Sequence, residues 1–489
     1  MTDRVAIRQL ETGVPGLDEI LGGGLPEFSF NVIAGAPGSG KTTLAQQIMF
    51  AISGPDRPAL YFSVLGEPPM KMLRYQQQYS FFDVERVSES IRYVNLSQEL
   101  LSGSLEKALA RIIQEVEAMN PAIVIVDSFR TMVHAAGGDL NLQYFVQHLA
   151  IQLTGWEATT FLVGGYEAAE SGHNPVFTVA DGVLWLDQSV DRNSMVRKMR
   201  IMKMRGQAPS PGLHTFRITR DGLEIFPRVI IGPAEKSTGI EHAHKRISVG
   251  IEKLDQMLGG GIPAGHSVLV AGPSGSGKSI LATQFIMEGI RSGEPGIIAV
   301  FEKRPSEYAE TAPAGVAFDR MVHAGKVGII QMRPLDLSLD ETLHEMIKEI
   351  RARKATRVVI DSLSGFELAL APTFRDDFRE SLYRMVARIT GMGVTMMMTA
   401  ELEDSYVDLR FSPYGTAFLT DVIILQRYIE LEGRLQPVMG VVKVRGSAHS
   451  RALHTFEVTG EGIVVGSPLT NYEGLLTGRP DLVKPNRPA

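Results

Sequence analysis

Gly35-Ala36-Pro37-Gly38-Ser39-Gly40-Lys41-Thr42 decides the fold of this chain. The spacing GxxxxGK[ST] describes a glycine-lined loop between a strand and a helix, whose backbone N–H groups converge on phosphate oxygens. The glycines let the loop curl, and the helix that follows turns its positive N-terminal end toward the same anion. Apolar Val32–Ala34 precedes the loop and an amphipathic stretch from Leu44 to Ile52 follows it, which is the strand–loop–helix context the motif needs.

The same eight-residue pattern returns as Gly272-Pro273-Ser274-Gly275-Ser276-Gly277-Lys278-Ser279, again between an apolar strand, Val268–Ala271, and a helix. Lys41 and Lys278 stand 237 residues apart, as do Asp18 and Asp255 within Gly13–Pro26 and its copy Gly250–Pro263. Later echoes, Lys203-Met204-Arg205-Gly206 with Lys443-Val444-Arg445-Gly446 and His214-Thr215-Phe216 with His454-Thr455-Phe456, stand 240 apart. So long a period means two homologous domains rather than a solenoid of short repeats.

We therefore expect a first domain over 1–230, a linker over 231–246 that holds little to fill a core, a second domain over 247–470, and a flexible tail over 471–489. In the first half, Phe30–Ala34, Ala59–Val64 and Ala122–Val126 read as buried strands between the helices Leu44–Ile52, Ser104–Met119 and Leu140–Leu153. After Asp181 the strand candidates crowd together, at Gly182–Leu186, Arg197–Lys203 and Leu213–Ile218. The expected fold class is α/β: two tandem P-loop NTPase domains, each a mainly parallel twisted sheet flanked by helices, with an antiparallel extension.

Around each loop the residue types assign themselves chemically. Gly35, Gly38, Ser39, Gly40, Lys41, Thr42 and Thr43, with Gly272, Gly275, Ser276, Gly277, Lys278 and Ser279, form the two expected ATP grips. The two lysines reach the β- and γ-phosphates, and the Thr42 and Ser279 hydroxyls ligate Mg²⁺. Asp127 closes Ile123–Asp127 and Asp361 closes Val358–Asp361; a carboxylate at the end of a buried strand beside such a loop completes the metal site.

The net charge of −6 and the lack of a basic–aromatic strand-binding segment argue against a nucleic-acid partner, and so against a DNA-processing motor. Without cysteine there is no disulfide and no thiolate metal site. The histidines show no zinc-ligand spacing, and Met396–Met398 reads as core. No apolar run reaches the roughly 20 residues that span a bilayer, so no membrane partner and a cytoplasmic location are expected.

The two P-loops, the Gly-Gly-Gly-Leu-Pro and Gly-Gly-Gly-Ile-Pro lead-ins, the two Asp-Ser strand ends and the Lys-x-Arg-Gly strands together resemble the KaiC family of tandem RecA-like ATPases. The resemblance implies a homo-oligomeric ring, a hexamer, with ATP at subunit interfaces. It also implies that Lys203 and Arg205, and Lys443 and Arg445, reach a neighbour's γ-phosphate, where a cation meets the charge of the transition state.

The family often carries adjacent glutamates after the second strand as water activators. Here the first copy reads Gly66-Glu67 and the second Glu302-Lys303, which leaves Glu302 as the better general-base candidate and Glu67 as the other. Ala417 and Phe418 stand where clock members phosphorylate themselves, so a serine/threonine autokinase activity would fall to Ser412, Thr416 or Thr420. The expected function is a Mg²⁺-dependent, ATP-hydrolysing ring in signalling. The alternative is an ATP-gated assembly module that displays a surface to a histidine kinase or response regulator.

Overall fold

The computed structural model describes residues 7–64, 69–101, 105–135, 139–191, 194–229, 245–301, 304, 307–308, 318–331, 338–370, 378–402, 419–431, 433–475 and 481–482. It divides into two compact units, Met1–Arg228 and Val229–Ala489.

In the first unit the main strands are β1 (Phe30–Gly35), β2 (Ala59–Ser63), β3 (Ile91–Asn95), β4 (Ile123–Asp127), β5 (Thr159–Gly165), β6 (Gly182–Asp191), β7 (Ser194–Met204), β8 (His214–Thr219) and β9 (Gly222–Phe226). They form one sheet in the order β9-β8-β7-β6-β1-β5-β4-β2-β3. From β3 to β6 every pairing is parallel; from β6 to β9 every pairing is antiparallel. The P-loop strand β1 is central, with all six residues buried, as continuous apolar strands in a sheet covered on both faces must be. Helix α1 (Lys41–Ile52) packs on one face, and α2 (Leu105–Met119) with α3 (Asp139–Gly155) on the other.

The second unit repeats this with β10 (Ser267–Gly272), α4 (Lys278–Arg291), β11 (Gly296–Val300), β12 (Val327–Gln331), α5 (Leu339–Arg353), β13 (Arg357–Asp361), α6 (Phe378–Gly391), β14 (Thr395–Glu401), β15 (Val422–Leu431), β16 (Arg434–Val444), β17 (His454–Thr459) and β18 (Gly462–Pro468). Its order, β12-β11-β13-β14-β10-β15-β16-β17-β18, is that of the first sheet strand for strand. The two nine-stranded mixed sheets are the α/β architecture that the sequence predicts. Met396, Met397 and Met398 on β14 are fully buried.

Two boundaries differ from the sequence expectation. Arg246, placed in the linker, opens a two-residue strand paired with Ile262–Pro263, and its guanidinium donates to the carbonyls of Leu258 and Gly261. Part of the expected flexible tail is packed: Leu475 is buried with Ile429 and Val438, and Tyr472–Glu473 pairs with Asp481–Leu482. The reason is local. Leu469, Tyr472 and Leu475 supply enough apolar surface to cover the β15–β16 hairpin, which a composition-level reading of a Pro- and charge-rich segment overlooks.

Candidate phosphate-binding sites

Each P-loop leaves its strand at the C-terminal edge of the parallel sheet. Gly35 has φ +144°, and a Cβ there would lie 2.0 Å from the Leu186 carbonyl oxygen, so only glycine fits. Gly40, at φ +98°, and Gly277, at φ +89°, stand as N-caps of α1 and α4, with no side-chain cap on either helix. The first-turn N–H groups of both helices therefore open toward the loop, the arrangement that receives an anion.

Lys41 Nζ donates to the Ala36 carbonyl at 2.7 Å, and Lys278 Nζ to those of Gly272 and Pro273 at 2.9 and 2.6 Å. Each ammonium is thus folded over its own loop. Burial pushes the Lys41 pKa down, and the nearby Asp127 carboxylate pulls it back up. Ser39 and Ser276 are buried beneath the loops, the latter donating to Gln426 Oε1 at 3.1 Å.

The strand-end carboxylates meet these loops. Thr42 Oγ1, in the first turn of α1, donates to Asp127 Oδ2 at 2.7 Å. Tyr61 on β2 donates to the same oxygen at 2.7 Å, because Tyr61 pairs with Ile125 and so shares a sheet face with Asp127 two residues on. Burial pushes the Asp127 carboxyl above its usual range, against the hydrogen bonds from Thr42 and Tyr61 and the charge of Lys41. In the second unit Asp361 accepts hydrogen bonds from the hydroxyls of Tyr308 and Thr399.

Neither tyrosine was legible as a site residue. The β2 position matching Tyr61 is Ile298 in the second unit, and Tyr308 comes from outside the strand altogether. The two copies bring a phenol to the same carboxylate by different routes, which no repeat comparison detects.

The Lys-x-Arg pairs sit elsewhere. Lys203 lies at the end of β7 and Arg205 just past it, where Met204 pairs with Gly182 and the Arg205 N–H donates to the Asp181 carbonyl, at the N-terminal end of β6. Arg205 Nη1 lies 3.0 Å from Asp181 Oδ1, and Lys203 Nζ donates to the carbonyls of Phe177 and Thr178. The second unit matches: Arg445 Nη1 is 3.1 Å from Asp421 Oδ1, and Lys443 Nζ donates to the Thr420 carbonyl at 2.6 Å. A register shift precedes each lysine, leaving Met202 and Val442 unpaired as bulge residues that bend the strand end and re-aim it. Partial desolvation, then the neighbouring arginine, lowers the pKa of both lysines, while Asp181 and Asp421 oppose the shift.

Gly35 lies level with Leu186, five residues up β6 from Asp181. At about 3.3 Å per residue Arg205 is some 16 Å along the strand from its own P-loop, and Lys203, opposite Val183, about 10 Å. The first unit brings together loop, lysine, hydroxyl and carboxylate; in the second, Lys278 lies over its loop and Asp361 is held by Tyr308 and Thr399. Glu67 and Glu302, like Ser412 and Thr416, lie outside the described residues.

A family model described as the KaiC ATPase matches residues 10–230 and again 247–470. The chain belongs to the KaiC ATPase family. Among its KaiC relatives is the circadian clock oscillator protein KaiC 1 of Synechocystis sp., 26% identical over 98% of this chain and 92% of that protein. The circadian clock protein KaiC3 of the same organism is 28% identical over 97% and 95%. The oscillator protein KaiC of Synechococcus elongatus is 25% identical over 98% and 93%. These KaiC proteins match 97–98% of the chain, so both P-loop units fall within the shared region. Among the described residues no helix is long and apolar enough to cross a membrane.

Proposed function

We propose that the chain is a Mg²⁺-dependent ATPase that binds ATP at both P-loops and works as a homo-oligomeric ring. The observation that carries this reading is the Thr42–Asp127 contact of 2.7 Å at the mouth of the first P-loop. It joins two hard oxygen donors of the kind Mg²⁺ takes, beside a glycine cradle and an ammonium suited to a triphosphate. When bound, the ion neutralises charge between the β- and γ-phosphates.

The chain's own residues divide the remaining work. Backbone N–H groups of 38–41 and the first turn of α1 hold phosphate oxygens, and the Lys41 ammonium exchanges the Ala36 carbonyl for them. Thr42 and Asp127 in the first unit, with Ser279 and Asp361 in the second, position the ion. Glu302, or Glu67 in the first unit, takes the proton of the attacking water as its oxygen bonds to the γ-phosphorus and ADP leaves. Lys203 and Arg205, and Lys443 and Arg445, face the γ-phosphate of a neighbouring copy; their distance from their own loop supports action in trans.

Phosphate release by the intact protein, K41A, K278A and the double variant tests this. Release at background in the double variant is expected; release at the parent rate there would end the proposal. A second reading, an ATP-gated assembly module for a histidine kinase or response regulator, is favoured by the single glutamates at Gly66-Glu67 and Glu302-Lys303. Background release unchanged by E302Q, with assembly still requiring ATP, would select it. Autophosphorylation would fall to Ser412 or Thr416, since Thr420 is fully buried. Phosphopeptide mapping after incubation with Mg-ATP decides that point.

A further inference from the structure

The β6–β7 hairpin continues past the P-loop: Leu186 stands level with Gly35, and pairing runs on to Asp191 and Ser194. Leu186 and Met199, opposite one another, are buried in the core that α1 covers. Strand side chains alternate, so Gln188 and Arg197, the cross-strand pair two residues further on, project from that same face above the loop. Each carries a buried polar atom that lacks a hydrogen-bond partner among the described residues, Gln188 Oε1 and Arg197 Nε. Two such orphans side by side call for an outside partner.

The second unit shows where this position reaches. Gln426 stands in the place of Leu186 and contacts Gly272; two residues on, Tyr428 pairs with Pro437. The Tyr428 hydroxyl donates to the Gly275 carbonyl of the P-loop at 3.0 Å. Residue 188 holds the corresponding place in the first unit, two residues beyond Leu186 on the strand beside the loop, where Gly38 has open space around it. In the second unit the hydroxyl is already bonded to the loop, and Pro437 has neither a side-chain donor nor a backbone N–H.

We infer that Gln188 and Arg197 form a nucleoside-binding subsite of the first unit alone, holding the ribose and base rather than the phosphates. The orphan pair is one acceptor and one donor. A phosphate at neutral pH offers acceptors only, whereas a ribose hydroxyl or the hydrogen-bonding edge of a purine offers both. The first unit thereby selects its nucleoside, and the second holds its nucleotide through the triphosphate. The inference rests on the reading of the P-loops as nucleotide sites.

Calorimetry on the full chain tests both levels, with K278A leaving only the first site and K41A only the second. ATP and inorganic tripolyphosphate are the probes. In the K278A protein, ATP is expected to bind at least about tenfold more tightly relative to tripolyphosphate than in the K41A protein. Adding R197A or Q188A to K278A is expected to weaken ATP about tenfold, the loss of one good hydrogen bond, and to leave tripolyphosphate unchanged. R197K, which keeps charge and bulk, guards against a folding artefact and is expected to retain part of the ATP preference. Equal weakening of both probes would make Arg197 a phosphate ligand and overturn the inference, as would unchanged ATP binding. Failure of the K278A parent to bind ATP would remove the first site itself, and with it the reading beneath.

Discussion

Replacing Arg205 by alanine separates the proposed trans contact from any action within one copy. Arg205 lies about 16 Å from its own P-loop by strand register, and at an effective dielectric near 20 a unit charge there contributes about 1 kcal/mol. Salt screening over a Debye length of about 8 Å removes most of that. The same charge about 4 Å from a neighbour's γ-phosphate contributes about 4 kcal/mol. The difference, about 3 kcal/mol, corresponds to a rate loss on the order of 100-fold. The Asp181 ion pair does not hold the arginine back, because with Arg205 61% exposed it is a surface pair worth at most about 1 kcal/mol.

The assay is complementation. R205A and K41A are each made in a K278A background, so that the first unit alone reports. Each alone is expected near background phosphate release. Mixed and reassembled one to one, about a quarter of interfaces pair an intact loop with an intact arginine, and release should return in that proportion. A mixture as inactive as its components, or an R205A protein losing less than about threefold, refutes action in trans.

Further outcomes follow from the same geometry. T42A removes the 2.7 Å contact to Asp127 and should weaken Mg-ATP binding to the first unit by about 1–2 kcal/mol, read by calorimetry in K278A; no change would detach Thr42 from the metal. G35A forces a Cβ to within 2.0 Å of the Leu186 carbonyl and should lower stability by at least about 2 kcal/mol while abolishing ATP uptake by that unit. His214 accepts the Arg228 N–H on Nδ1 and meets the Ser210 carbonyl with Nε2, which fixes the neutral ring. Burial lowers its pKa from 6.5, opposed by the Ser210 bond. Its stabilisation is therefore present above pH 6.5 and is lost as pH falls from 6.5 through the folded value. Urea melts should show that loss in the parent and a smaller one in H214Q. R357M removes the buried guanidinium that bonds Glu294 and the Ser248 and Phe285 carbonyls, while Lys245 keeps Glu294 paired, and should cost about 1–3 kcal/mol, lowering the melting temperature by about 5 °C.

The sequence by itself determined the duplication, the two loops and the parallel core. Period, glycine spacing and apolar runs are local properties, and backbone sterics turn them into structure wherever they occur. Lys41, Thr42, Asp127 and their counterparts were legible because each belongs to a short motif at the end of a strand. Tertiary structure alone decided the rest. Tyr61 reaches Asp127 through strand register, Tyr308 reaches Asp361 from outside the sheet, and Gln188 meets Arg197 because a hairpin pairs them across the strands. It also set Lys203 and Arg205 at the edge away from their own loop, since an antiparallel return carries β7 back down the sheet. Such contacts depend on which strands become neighbours and how far each runs, and a linear pattern of residue types does not encode that distance.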